Sequence, residues 1–172
     1  DIIGLLKKGI CEIGISKDDI LTPSAKDLLK SNGIKILSDN NIKSETRRNK
    51  IIIGSDHTGV RIKKILIDFL KNKNYDVFDV GTYSEDPVDY PDIAQKVAEK
   101  ITVKEYDCGI LIDATGIPSA ITANKFKGIR AATCYNEFSA KSSREHNDAN
   151  IIVVGAKALG EETIKSICEV WL

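Results

Sequence analysis

From residue 50 onward, short continuous apolar runs alternate with helical apolar stripes. Ile51-Ile52-Ile53 is such a run, closed by Gly54, the pattern of a strand buried on both faces of a parallel sheet. From Thr58 to Lys73 the apolar residues Val60, Ile62, Ile65, Leu66, Phe69 and Leu70 fall at helical spacing. The alternation continues with strands over 75–80, 108–112, 129–134 and 150–154, and helices over 92–103, 117–126, 137–146 and 160–171. A turn-rich loop spans 81–91. Five strands, each followed by a helix, predict an α/β fold: a parallel sheet covered by helices on both faces.

Upstream the pattern changes. Residues 38–49, Ser38-Asp-Asn-Asn-Ile-Lys-Ser-Glu-Thr-Arg-Arg-Asn49, have almost nothing apolar to bury and read as a linker. Residues 1–37 hold two short helical patterns. One runs from Asp1 to Lys8. The other has Thr22 as N-cap, Pro23 at the first helical position, Ala25, Leu28 and Leu29 on one face, and Gly33 as terminator. Thirty-seven residues are few for an independent core, so a short helical extension is expected, ahead of a main domain over 50–172.

Composition narrows the class. Twenty-five Lys and Arg balance twenty-five Asp and Glu, which argues against broad electrostatic binding to nucleic acid or an anionic membrane surface. No apolar run approaches the roughly 20 residues of a membrane helix, and Asp1 to Ile10 has the wrong charge order for a signal peptide. Cys11, Cys108, Cys134 and Cys168 are widely spaced, without a C-x-x-C, and the chain has only two histidines. Neither a metal framework nor a disulfide scaffold is expected, and a reduced cytoplasmic setting fits.

In an open parallel sheet, ligands sit beyond the carboxyl ends of the strands, so the residues just after each strand carry the chemistry. Ser55-Asp56-His57-Thr58-Gly59 opens a helix, where free N–H groups favour an anion; Asp56 or Thr58 is otherwise a plain cap. Its spacing is not G-x-G-x-x-G, so a dinucleotide site is not supported. Asp113-Ala-Thr-Gly-Ile-Pro-Ser119 links a strand to a helix. Its N–H groups form either an anion nest or a tight turn capped by Asp113 or Thr115. His146 lies near a helix end, with Arg144 before it and Asn147-Asp148 after it. It complements the helix C-terminus or serves as a general acid/base.

Taken together, these segments are recognisable. Gly54-Ser-Asp-His-Thr-Gly, Gly81-Thr-Tyr-Ser, Val88-Asp-Tyr-Pro-Asp, Ala123-Asn-Lys, Gly128-Ile-Arg-Ala and Ser143-Arg-Glu-His-Asn-Asp-Ala-Asn150 resemble the family that joins ribose-5-phosphate isomerase B with the galactose-6-phosphate isomerase subunits. The resemblance implies a Rossmann-like three-layer domain with a five-stranded parallel sheet and no metal or organic cofactor. It also implies a homodimer or tetramer with sites shared between subunits. The activity implied is aldose–ketose isomerisation of a sugar phosphate, ribose 5-phosphate to ribulose 5-phosphate first, through a cis-enediolate. By position, His146 resembles the ring-opening histidine, supported by Thr115. Asp56 and Tyr90 match residues lining the sugar, His57 matches a phosphate contact, and Asn147 holds the sugar near the anion hole. That hole is formed by the N–H groups of residues 114–118, among them Gly116 and Ile117.

The departures are informative. Asp113 stands where ribose-5-phosphate isomerase B usually has its cysteine base, so Asp113 is expected to be the catalytic base. Pro118 replaces a glycine and offers no N–H. The Ile112-Asp-Ala-x-Gly pattern resembles one galactose-6-phosphate isomerase subunit, which works beside a cysteine-bearing partner. A non-catalytic or partner-dependent subunit, paired with a Cys-bearing paralogue, is therefore the alternative. Ile20 to Leu29 and Gly33-Ile-Lys-Ile36 look similar to segments of some bacterial microcompartment enzymes, so residues 1–37 are also read as a docking or encapsulation element.

Overall fold

The computed structural model describes residues 12–15, 23–38 and 50–172. The chain divides into two compact units, Asp1–Arg47 and Arg48–Leu172. The helix expected over Asp1 to Lys8 and all of the expected linker after Ser38 and before Lys50 lie outside the described residues.

In the first unit, strand β1 (Glu12–Ile15), helix α1 (Pro23–Ser31) and strand β2 (Lys35–Ser38) form a βαβ arrangement. The strands pair in parallel, from Glu12 with Lys35 to Ile15 with Ser38. The helix begins at Pro23 and stops before Gly33, as its punctuation predicts. Gly33 turns at φ 68°, its N–H donates to Lys30 O, and the Ile34 N–H donates to Leu29 O. This double closure places buried Ile34 against the helix end that carries buried Leu29. The helical reading of residues 1–37 did not include the two strands. At four residues each, their local preference is slight, and their pairing exists only because the helix returns the chain parallel to itself.

The second unit alternates strand and helix: β3 (Lys50–Ser55), α2 (Val60–Asn72), β4 (Asp76–Asp79), α3 (Tyr90–Thr102), β5 (Cys108–Asp113), α4 (Ile117–Ala123), β6 (Ala131–Thr133), α5 (Glu137–Glu145), β7 (Ile151–Gly155) and α6 (Glu161–Trp171). Its five strands are all parallel, in the order β4-β3-β5-β7-β6. Successive strand residues point to opposite faces, and the core divides accordingly. Ile51, Ile53, Ile110, Ile112, Ile152 and Val154 pack with residues of α2, α5 and α6. Ile52, Leu111, Ile151 and Val153 pack with residues of α3 and α4. Such two-sided burial is why these strands read as unbroken apolar runs. Among the described residues, no helix is long and apolar enough to cross a membrane.

Cys108, Cys134 and Cys168 are buried on the first of these faces. Burial pushes the Cys168 thiol up from 9.0 to about 12, with the other two sulfurs adding to the effect. The folded chain therefore keeps this proton where an unfolded chain releases it, and folding loses stability as pH rises past about 9. The slope from this one group is about 1.4 kcal/mol per pH unit. Urea denaturation of the wild type and Cys168→Ala between pH 8 and 11 tests this: the stability advantage of the wild type shrinks steadily above pH 9, and a constant difference contradicts it.

Candidate functional site

The loops that leave the carboxyl ends of β3, β4, β5 and β7 gather at one edge of the sheet. After β3, Asp56 caps the short 3-10 turn His57–Gly59. Its Oδ1 accepts the Thr58 N–H at 2.8 Å and the Thr58 hydroxyl at 2.6 Å. The Asp56 N–H donates to Ile112 O at 3.1 Å, which pins this turn beside the end of β5. The Val88 N–H donates to His57 Nδ1 at 3.3 Å, so in the neutral ring Nε2 carries the proton. The same bond draws the 81–89 loop toward the turn. Tyr90, 37% exposed, begins α3 at the end of that loop.

A buried lysine that the sequence reading missed holds this loop. Lys63 is only 1% exposed, and its ammonium donates to Asp79 Oδ1 and to Thr82 O, each at 2.6 Å. Its Nζ also lies 4.8 Å from the centroid of the Tyr83 ring. Burial pushes its pKa below the ordinary lysine value, against the opposing pull of Asp79. Thr82 is in turn stitched to β3: Ser55 N–H donates to Gly81 O, and Thr82 N–H donates to Ser55 O. The available signal was a cation inside the apolar stripe of α2, beside Ile62 and one turn from Leu66.

The loop after β5 is the tightest part of the site. Gly116 turns at φ 83°, a conformation that other residues avoid. Gly155, at the end of β7, lets the loop lie close: a Cβ there would stand 2.6 Å from the Thr115 carbonyl. Ala156 N–H donates to Asp113 O and Lys157 N–H to Ala114 O. Thr133 Oγ1 donates to Gly116 O, and the Tyr135 hydroxyl donates to Thr115 O.

The Asp113 carboxylate, 1% exposed, is the centre of this loop. Its Oδ1 accepts the N–H groups of Thr115 at 2.9 Å and Gly116 at 2.5 Å, and its Oδ2 accepts Ser119 N–H at 3.0 Å. The carboxylate expected as the base is thus turned inward as the fastener of its own loop. The expected nest over 114–118 is filled from within: Asp113 takes the N–H groups of Thr115 and Gly116. Ile117 N–H donates to Thr115 Oγ1 at 3.3 Å, and Pro118 has none. Thr115 and Ile117 are exposed at the rim, while Gly116 is buried.

His146 and Asn147 lie elsewhere. They follow α5 and precede β7, at the amino end of the strands, and both are exposed. Asn150 O accepts Gly109 N–H at the start of β5, whereas Asp113 pairs with Gly155 at the far end. Four strand steps separate those levels, about 13 Å along the sheet. One chain therefore gathers Asp56, His57, Tyr90, Asp113, Thr115, Gly116 and Ile117 at one edge and leaves His146 and Asn147 at the other. Among the described residues, no group of three or more His, Cys, Asp or Glu side chains is arranged to hold a metal ion.

Removing the fastener leaves the buried N–H groups of Gly116 and Ser119 without an acceptor. Asp113→Ala is predicted to destabilise the second unit by about 3 kcal/mol. Asp113→Asn, which keeps an oxygen for Oδ1 but faces Ser119 N–H with a donor, costs about half that. Urea denaturation measures both, and a stability change below about 0.5 kcal/mol for Asp113→Ala contradicts the fastening role.

The fold and the loops have known counterparts. Residues 51–172 match the family model described as Ribose/Galactose Isomerase. Over 122 residues the chain is 46% identical to a putative sugar phosphate isomerase of Rickettsia bellii, covering 71% of this chain and 85% of that one. It is also 46% identical to ribose-5-P isomerase B of Listeria innocua, over 72% of this chain and 83% of the relative. Among solved structures, ribose-5-phosphate isomerase B of Clostridium thermocellum superposes with a TM-score of 0.70 at 48% identity, over 71% of this chain and 82% of the other. The βαβ alternation, the crowded carboxyl edge and these matches lead to one conclusion: the chain belongs to the ribose/galactose isomerase family of sugar-phosphate isomerases.

Proposed function

We propose that the chain interconverts ribose 5-phosphate and ribulose 5-phosphate, through a cis-enediolate, at a site completed by a second copy of itself. What carries this reading is the edge that joins Asp56, His57 and Tyr90 to the Asp113–Ser119 loop, on a fold whose relatives include proteins named ribose-5-phosphate isomerase B. His146 of the second copy supplies the ring-opening imidazole. It protonates the ring oxygen as the C1 hydroxyl loses its proton, giving the open aldehyde. A base then removes the C2 proton, the electrons form the C1–C2 double bond, and O1 takes the negative charge. Return of a proton to C1, with transfer of the C2 hydroxyl proton to O1, completes the ketose. Asp56 and Tyr90 line the sugar, Asn147 of the second copy steadies it, and His57 meets the phosphate.

Asp113 is the group whose position bears on turnover. To act as base it must exchange Ser119 N–H for the substrate at Oδ2, while Oδ1 keeps its two N–H bonds. The inward carboxylate favours a second reading, in which the chain binds sugar phosphate and turns over only beside a cysteine-bearing paralogue. A coupled assay with ribose 5-phosphate, allose 6-phosphate and galactose 6-phosphate separates the two, run on the wild type, Asp113→Asn and Asp113→Cys alone. Turnover of ribose 5-phosphate by the wild type, lost by at least tenfold in Asp113→Asn, is the expected result. Binding of ribose 5-phosphate without turnover by the wild type, with activity gained in Asp113→Cys, selects the second reading. An absence of both binding and turnover with all three sugars overturns both.

A further inference from the structure

Arg130 stands just before β6 and grips the turn that carries His146 and Asn147. Its Nε donates to Asn147 O at 3.0 Å and to Asp148 O at 2.9 Å, and its terminal NH2 group donates to Asp148 Oδ2 at 2.6 Å. The backbone closes the same clamp: Arg130 N–H donates to Asn150 Oδ1, and Asn150 N–H donates to Arg130 O. Asn150 Nδ2 ties to Gly128 O, which holds the segment leading into Arg130. Both ends of the turn between α5 and β7 are therefore referred to one residue.

The backbone here needs holding. Asp148 has φ 45°, in the left-handed region that L side chains seldom occupy. The carbonyls of Asn147 and Asp148 lie just past the C-terminus of α5, where a cation is favoured. The Arg130–Asp148 ion pair is half exposed, at 50% and 69% of the two side chains, so as a surface pair it adds little to stability. What a simple surface pair does not require is the planar fork that meets two consecutive carbonyls and a carboxylate together. A lysine ammonium does not reproduce that geometry.

We propose that Arg130 is a positioning residue: by fixing the Asn147–Asp148 backbone it sets where the His146 imidazole and the Asn147 amide emerge toward a second copy of the chain. This rests on the assignment of His146 to ring opening, and it adds to that assignment the device that aims the imidazole. Sequence reading placed Arg130 within a family-like stretch without a role, because the clamp joins residues some twenty positions apart.

The test is a double-mutant cycle with ribose 5-phosphate, using the full chain and the variants Arg130→Ala, Arg130→Lys, His146→Asn and Arg130→Ala/His146→Asn. Arg130→Ala is expected to lower kcat at least about tenfold, to leave KM within about threefold, and to recover partly when guanidinium is added. Arg130→Lys stays impaired. In the His146→Asn background the arginine change costs less than about twofold, because the group it aims is already gone. Independently of turnover, the backbone amide NMR signals of His146 and Asn147 shift in Arg130→Ala while those of β3 and β5 stay in place. Unmoved signals overturn the proposal whatever the activity. Full kcat in Arg130→Ala with activity lost in His146→Asn overturns the clamp and leaves the ring-opening role standing. Losses that simply add in the double variant reduce Arg130 to a structural part. Wild-type turnover by His146→Asn removes the ring-opening role itself and the clamp's purpose with it.

Discussion

A parallel strand has two unlike ends, and the sites of this molecule follow from that polarity. Every strand of the larger sheet runs the same way, so every loop leaving a strand emerges at one edge and every turn entering a strand lies at the other. The Asp56–Gly59 turn, the 81–89 loop and the Asp113–Ser119 loop share the first edge. The His146–Asn150 turn belongs to the second. No side-chain rotation bridges a distance set by the length of a strand. A chemistry that needs both sets of residues needs two copies of the chain, and the proposed function takes its form from this separation.

At the first edge the organising contact is the Asp113 carboxylate and the three N–H groups it holds. A buried charge is tolerated when its acceptor capacity is met, and the loop meets it entirely from its own backbone. The outcome is a rigid strand–turn–helix with Gly116 in a left-handed turn and Gly155 pressed against it. The cost is chemical. In the proposed reaction these N–H groups would face the enediolate oxygen, but those of Thr115 and Gly116 are engaged with an internal carboxylate, and Pro118 offers none. The same residue that secures the loop thus sets the conditions under which it can take part in proton transfer. On the neighbouring loop, Lys63 does comparable work: a buried cation fixes the Thr82 carbonyl and, through it, the approach of the 81–89 segment to His57.

Much of the fold was legible in the sequence because burial on both faces leaves a plain trace. The isoleucine run at 51–53 and the stripe of α2 needed no tertiary information, and neither did Pro23 and Gly33 around α1. The strands Glu12–Ile15 and Lys35–Ser38 were not legible, since four residues in a two-stranded pair show little periodicity. At the site, residue types and loop positions could be read, but the direction of a side chain could not. Asp113 follows a strand and precedes a helix in either role, and only the geometry distinguishes a carboxylate facing a ligand from one facing its own loop. Lys63 and Arg130 were hidden for a related reason: their partners, Asp79 with Thr82 and Asn147 with Asp148, are distant in sequence.

The claim that two chains make one site is open to a direct measurement. Asp56→Asn and His146→Asn variants are each expected to keep only weak residual activity alone, because every site in either assembly lacks one of its two contributions. Unfolded together and refolded as a mixture, they are predicted to recover about a quarter of wild-type activity, since half the dimers are mixed and each holds one intact site of two. A mixture no more active than its parents, under conditions that return active wild type, contradicts the shared site.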